Sequence, residues 1–288
     1  MVAGWPVDAA AVGVVRFAPG DGGGAVAPGP AATTGATRRT FAWASVTKTA
    51  TALAVLVAVE EGTLALDAPA GPPGSTVRHL LAHASGLGPE VGPPVEAPGV
   101  RRIYSNAGYV ALAAALESAS GMRFADYLAE GVLEPLGMSG TGLVDTSVGG
   151  PAAGLAGPLT DLVALAREWA LPSLVSPATW RQATSVQFAG LAGVLPGFGP
   201  FDPCDWGLGV EVRGGKRPHW TGPSNSPATF GHFGQSGSFL WVDPAAGVLC
   251  CGLADRPFGV WAARAWPALA EAVLGAAATG TAADAARP

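Results

Sequence analysis

The chain has only two lysines, and one of them, Lys48, stands three positions after Ser45. Residues at i and i+3 share a helix face, so a helix starting near Ser45 brings a hydroxyl and an amine together. A serine hydroxyl is a weak nucleophile until a neighbouring base takes its proton. Lys48 is that base if burial lowers its pKa from about 10.4; left charged, it favours the ionised form of a nearby acid instead. A helix N-terminus also offers unpaired backbone N–H groups to a developing anion. The same spacing fits a helix-capping serine with a surface lysine. With fifteen serines in the chain, the pattern alone leaves both readings open.

Tyr104 is one of three tyrosines and sits at a loop-to-helix junction, Ile103-Tyr104-Ser105-Asn106, where a side chain can face a cleft. With Lys48 beside it, its phenol is expected to move toward phenolate and act as a base. Asn106 can donate and accept hydrogen bonds at once, which suits it to orient Lys48 and hold a substrate carbonyl. His79 and His83 have the i, i+4 spacing of a helical metal pair, but no Glu lies between them and no third ligand is evident. They read as structural. Cys204, Cys250 and Cys251 form neither a disulfide framework nor a zinc spacing and read as buried thiols. No metal and no cofactor is expected.

The elements that must carry these residues follow from pattern. Residues 11–18 have strand composition, and Gly20 to Gly24 reads as a hairpin turn. That turn lacks the Gly-Lys-Ser/Thr ending of a phosphate loop. An apolar helix runs over about 45–61 and stops at Gly62. Thr76 caps a short helix over 77–83. Helices over 107–120 and 124–133 follow, then one capped by Thr160 or Asp161 and one opened by Ser176-Pro177. Beyond about 185 the character changes. Residues 206–213 alternate as a strand, 229–243 contain further strand segments, 248–254 form an apolar strand-like run, and 260–274 form a closing helix. The expected fold is α/β (α+β): an antiparallel sheet flanked by helices, with an all-helical subdomain inserted. The α/β part covers about 1–44 and 186–275, the helical part about 45–185, and 276–288 form a frayed tail.

Three segments together resemble the serine β-lactamase and penicillin-binding-protein superfamily. They are most similar to its class C β-lactamase, D-alanyl-D-alanine carboxypeptidase and family VIII carboxylesterase branch. Ser45-Val46-Thr47-Lys48 matches the first motif, Tyr104-Ser105-Asn106 the second, and His232-Phe233-Gly234 the third, usually Lys-Thr-Gly or His-x-Gly. Arg78 to Leu87, Pro135 to Met138 and Trp206 to Gly209 are supporting segments, so the resemblance spans roughly Ser45 to Leu253. It implies acyl transfer through a Ser45 ester, with Tyr104 and Lys48 as acid/base pair. The backbone N–H groups of Ser45 and Gln235 would form the oxyanion hole. A rival third motif, His219-Trp220-Thr221-Gly222, is set aside because no strand pattern follows it, although Trp220 is still expected at the cleft wall. In β-lactamases and carboxypeptidases the basic residue and the Thr of the third motif help bind a substrate carboxylate. His232, mostly neutral at pH 7, and Phe233, with no donor, stand there. A neutral ester or amide therefore fits better.

The expected function is thus a serine hydrolase, an esterase or amidase for a small acyl substrate. The alternatives are a D-Ala-D-Ala carboxypeptidase or weak β-lactamase, and a non-turnover sensor of penicillin-binding type. A net charge of −5 and a pI near 5.3 argue against nucleic acid, which needs clustered Lys and Arg. No apolar stretch reaches the ~18–20 residues of a membrane span. The N-terminus lacks the basic and apolar regions of a signal peptide, so a cytoplasmic protein is expected, or a secreted one if a leader has been removed.

Overall fold

The computed structural model describes residues 2–18, 29, 31–145 and 149–279. The expected turn over Gly20–Gly24 and residues 280–288 lie outside them. The chain begins with β1 (Ala10–Arg16), β2 (Ala32–Gly35) and the short β3 (Phe41–Ala42). A 3₁₀ turn, Ala44–Val46, leads into α1 (Thr47–Glu60), followed by α2 (Val77–Leu81), α3 (Asn106–Ser120) and α4 (Phe124–Leu128). Next come β4 (Gly142–Leu143), α5 (Gly150–Ala153), β5 (Leu155–Gly157), α6 (Leu159–Ala170) and α7 (Pro177–Thr184). The chain then runs through β6 (Gly193–Leu195), β7 (Gly199–Phe201), β8 (Glu211–Val212), β9 (Phe230–Gly234), β10 (Ser238–Asp243), β11 (Val248–Ala254) and α8 (Val260–Ala278).

Among the described residues the main sheet has six strands in the order β2-β1-β11-β10-β9-β8, every pair antiparallel. Its central strands are buried on both faces, which explains why β10 and β11 read as continuous apolar runs. Alternate side chains serve two cores. Leu240, Val242, Cys251 and Leu253 face the core of α1 and α6, while Phe239, Trp241 and Cys250 face Trp266 and Leu269 of α8. The adjacent Cys250 and Cys251 therefore point to opposite sides, and burial raises both thiol pKa values. Gly13 of β1 lets α6 approach: a Cβ there would lie 2.7 Å from Val163 Cγ2.

α1 is buried all round from Thr47 to Ala58, and from Ala52 on that stretch is correspondingly apolar all round. It is the central rod of the helical half, against which α3, α4 and α5 pack. Several local expectations change. α6 begins at Leu159 after Pro158, with neither Thr160 nor Asp161 as cap; the Asp161 carboxylate instead accepts from Gly140 N and Thr141 Oγ1 at 2.8 and 2.9 Å. The helix expected over 124–133 is α4 followed by a π-type turn, Ala129–Leu133. A small sheet, β3-β5-β4, interrupts the helical half. Of the strand expected over 206–213 only Glu211–Val212 forms, whereas Thr76 and Ser176 do cap α2 and α7. α8 continues past residue 274 to Ala278.

Candidate active site

Ser45 lies in the 3₁₀ turn that feeds α1. The turn is pinned from the sheet side: Ser238 Oγ donates to Trp43 O at 2.6 Å, and Ser236 Oγ to Ala42 O at 2.7 Å. Ala44, the residue before the serine, has φ +43°, a left-handed conformation that costs a non-glycine residue roughly 1–2 kcal/mol. The end of β9 passes directly against this turn. A Cβ on Gly234 would sit 2.4 Å from Trp43 O and 3.1 Å from Ser45 N, so glycine alone allows the approach. The approach sets Gln235 beside Ser45, and both line one cavity.

Lys48 projects from the first turn of α1 and is fully buried. Its Nζ donates to Asn106 Oδ1 at 2.7 Å and Ala152 O at 2.9 Å, and lies 3.3 Å from Ser45 Oγ. It also sits 4.9 Å from the Tyr104 ring centroid and 5.4 Å from that of Tyr109. Burial lowers its pKa to about 7, with only partial compensation from the charge of Glu90. Asn106 is delivered by the start of α3, where the Ser105 side chain caps Gly108 N at 2.9 Å and donates to Gly88 O at 2.6 Å.

Tyr104 departs from expectation. Burial drives its phenol pKa up, and a hydrogen bond with Ser45 offsets this only in part. The phenol is held protonated, not pushed toward phenolate, because the apolar enclosure outweighs the hydrogen bond with Ser45. His83 packs on it at 4.7 Å between centroids, and Trp206 at 5.9 Å. Ser105 N–H donates to His83 Nδ1 at 3.1 Å, so the remaining ring hydrogen of neutral His83 is on Nε2. His79 meets Thr76 Oγ1 through Nδ1 at 2.8 Å and stacks on Phe188. Both histidines thus have packing partners; they hold no metal set, and no such cluster occurs among the described residues.

His232, on β9, is buried beside Tyr104 and Trp206. Burial, and then the charge of Lys48, push its pKa to about 3. It is neutral at pH 7. Its Nδ1 contacts Phe233 O at 2.7 Å. Phe233 faces the cavity and leans on Phe258 and Trp220, at 4.9 and 5.6 Å.

The cavity measures about 190 Å³ and gathers Ser45, Tyr104, Asn106, His232, Phe233 and Gln235. Lys48 and Gly234 support it from behind through the contacts above. Leu195, Pro196, Trp206 and Glu211 complete the wall. Trp206 carried a signal, since Trp206-Gly207-Leu208-Gly209 stood out in the sequence; Glu211 carried none, being one polar residue in a strand-like run. Trp220 does not reach the cavity. It is buried behind Phe233 and donates through Nε1 to Glu211 Oε2 at 2.5 Å. The segment His219–Gly222 lies outside any strand, and His219 meets Glu211 Oε1 at 3.0 Å.

Comparison with known proteins places these features in context. The β-lactamase family model matches residues 15–274. A crystal structure described as a β-lactamase from Mycobacterium bovis is similar with TM-score 0.89 at 50% identity, over 96% of this chain and 97% of that one. A β-lactamase/D-alanine carboxypeptidase from Yersinia pestis, complexed with citrate, shares the fold with TM-score 0.69 at 20% identity, over 95% and 93% of the two chains. Penicillin-binding protein 4* of Bacillus subtilis (strain 168) is 32% identical over 138 residues, 36% of this chain and 31% of that protein. The match spans about a third of that curated relative's length.

Proposed function

The chain belongs to the β-lactamase family, a family of serine hydrolases, and from that premise we propose that it is an esterase or amidase acting through an acyl-enzyme on Ser45. The observation that carries this reading is a buried Lys48 with pKa about 7, 3.3 Å from Ser45 Oγ. A neutral amine has two hydrogens and one lone pair. Asn106 Oδ1 and Ala152 O take the hydrogens, which leaves the lone pair for the Ser45 hydroxyl. Ser45 Oγ then attacks the substrate carbonyl carbon as its proton passes to Lys48. The backbone N–H groups of Ser45 and Gln235 hold the oxyanion; losing one such donor typically costs ~10²–10³ in rate. Tyr104, kept protonated by burial, gives a proton to the leaving oxygen or nitrogen. Water then attacks the acyl-enzyme carbonyl, giving a proton back to the Tyr104 oxygen, while Lys48 returns its extra proton to Ser45 Oγ as the ester bond breaks, so that both groups and the hydroxyl are restored.

A neutral substrate is supported by the residues at the third motif. His232 has its pKa lowered to about 3 by burial and Lys48, and Phe233 has no hydrogen-bond donor, so neither supplies charge for a carboxylate. The reading as a β-lactamase is favoured by the name of the Mycobacterium bovis protein at 50% identity. A p-nitrophenyl ester and a chromogenic cephalosporin, assayed side by side on wild type and Ser45→Ala, separate the two. Ester turnover is expected to dominate and to fall at least ~10³-fold in Ser45→Ala. Turnover that survives the substitution sinks the nucleophile assignment. Faster cephalosporin cleavage transfers the reading to a β-lactamase, and a stable penicillin adduct transfers it to a sensor.

A further inference from the structure

The cavity at Ser45 holds about 190 Å³, below the ~300–1,000 Å³ usual for drug-sized ligands. Beside it opens a groove of about 530 Å³ that shares Tyr104 and Pro196 with it. The groove is apolar where it leaves the active site, with Pro89, Val95 and Ile103 on one wall and Val194 on the other. Val95 is 67% exposed and Val194 50% exposed. Single exposed valines need no explanation. Here, however, two of the seven large exposed apolar residues described, Val95 and Val194, line one groove together.

Both walls are held in place. Leu87 bridges Pro94, and Val95 N and Glu96 N both donate to Gly86 O. Gly86 has φ +83°, and a Cβ there would meet Glu96 O at 2.0 Å. On the opposite side Arg102 N donates to Ala192 O, and Arg102 bridges Gly193 of β6. The buried Arg102 guanidinium donates to the carbonyl oxygens of Cys204, Ala82 and Gln187, which ties the segment before Tyr104 to three others. The charged lining groups are one of each sign on the rim, Glu96 and Arg101, together with that carbonyl-bound Arg102. The groove is therefore preformed and apolar, runs into the site at Tyr104, and displays no concentrated charge for an anionic head.

We propose that this groove is a subsite for the long apolar chain of a neutral ester whose carbonyl is attacked at Ser45. The inference rests on the ester reading of that site and narrows its substrate class to chain-bearing esters. Two ester series test it on the intact protein: p-nitrophenyl acetate to octanoate, with the chain on the acyl side, and ethyl to octyl acetate, with the chain on the alcohol side. kcat/KM is expected to rise at least tenfold from the shortest to the longest member of one series, and that series identifies which side of the ester lies in the groove. In Val194→Asp and Val95→Asp the long-to-short ratio falls toward one, with thermal unfolding near that of wild type because both side chains are at the surface. Val194→Thr, nearly isosteric, gives an intermediate ratio. Flat series in wild type, or a ratio that all three variants leave unchanged, overturns the subsite alone. Absence of ester turnover, or turnover that persists in Ser45→Ala, removes the ester reading and the subsite with it.

Discussion

Both lysines of the chain are buried, yet their surroundings are opposite in kind. Lys216 Nζ pairs with Glu211 Oε1 at 3.1 Å and donates to Asp205 O at 3.0 Å and to Val212 O. Glu211 also receives His219 Nε2 at 3.0 Å and Trp220 Nε1 at 2.5 Å. Burial works to raise the Glu211 pKa, but the charges of His219 and Lys216 and the hydrogen bonds from His219 and Trp220 outweigh it and hold the carboxyl at about 2. Around Lys48 the nearest partners are a hydroxyl, an amide oxygen and a backbone carbonyl, all uncharged. Glu90 acts on it only at a distance, so desolvation wins and the pKa falls to about 7. A buried cation with a carboxylate is a brace between segments; one without becomes a base near neutral pH.

The most forceful way to break this contrast is Lys48→Met. If the unpaired amine is the base, kcat/KM for an ester falls by about 10²–10⁴-fold. The same variant is expected to melt at a higher temperature than wild type at pH 7, because it removes a buried charge that Glu90 compensates only in part. Activity and a thermal melt measured on one sample check both halves. Retained activity, or a lower melting temperature, would place Lys48 among the braces.

Glu211→Gln applies the complementary test. It leaves Lys216 buried without its counter-charge, and breaking such a pair costs about 3–5 kcal/mol. Urea unfolding reads the loss directly. Unchanged stability would show that the carbonyl oxygens of Asp205 and Val212 hold Lys216 without help from the carboxylate.

Asn106→Asp makes one lysine environment resemble the other. Wild-type kcat/KM is expected to rise as pH passes about 7, where Lys48 loses its proton. A carboxylate at position 106, where Oδ1 lies 2.7 Å from Nζ, stabilises the ammonium and moves that limb upward by about 1–3 pH units. Activity at pH 7 drops tenfold or more and returns in alkali. Asn106→Ala serves as control, since it removes orientation without supplying charge and is expected to lower the rate without an upward shift of the limb.

What the sequence made legible in this contrast is uneven. Ser45 and Lys48 could be paired because helix geometry is local, and Tyr104, Asn106 and His232 were found as short patterns at consistent order. The strand segments are legible, but the sheet order and the opposite facing of neighbours such as Cys250 and Cys251 are tertiary facts, because β10 and β11 are buried on both faces. Lys216 gave no hint of its partner, because Glu211, His219 and Trp220 meet through a loop whose course pattern does not determine. The direction of the Tyr104 shift was misjudged for a related reason. The motif order suggests that Tyr104 meets Lys48, but the enclosure by His83, Trp206 and His232 that raises the pKa is a tertiary fact. Asp161 was misread as a helix cap because its targets, Gly140 and Thr141, lie about twenty residues away.

The finest test of the contrast is how stability changes with pH. The folded pKa of Lys48 is about 7, against an ordinary 10.5. Between those values the unfolded chain holds a proton that the folded chain has lost, so this group makes unfolding free energy rise with pH, by about 1.4 kcal/mol per unit. Below pH 7 both states are protonated and the burden of the buried ammonium is complete; above 10.5 it is gone. Other groups change alike in wild type and Lys48→Met and cancel in the difference. The melting advantage expected for Lys48→Met at pH 7 should therefore shrink steadily toward pH 10. Glu211 behaves in the opposite sense: its folded pKa lies below the ordinary 4.5, so its contribution is complete above about 4.5 and fades as pH falls toward 2. The deficit of Glu211→Gln should therefore narrow as pH falls from about 4.5 toward 2. A gap between wild type and Lys48→Met that stays constant from pH 7 to 10 would mean that folded Lys48 keeps its proton there, and the base assigned to Ser45 would have to be another group.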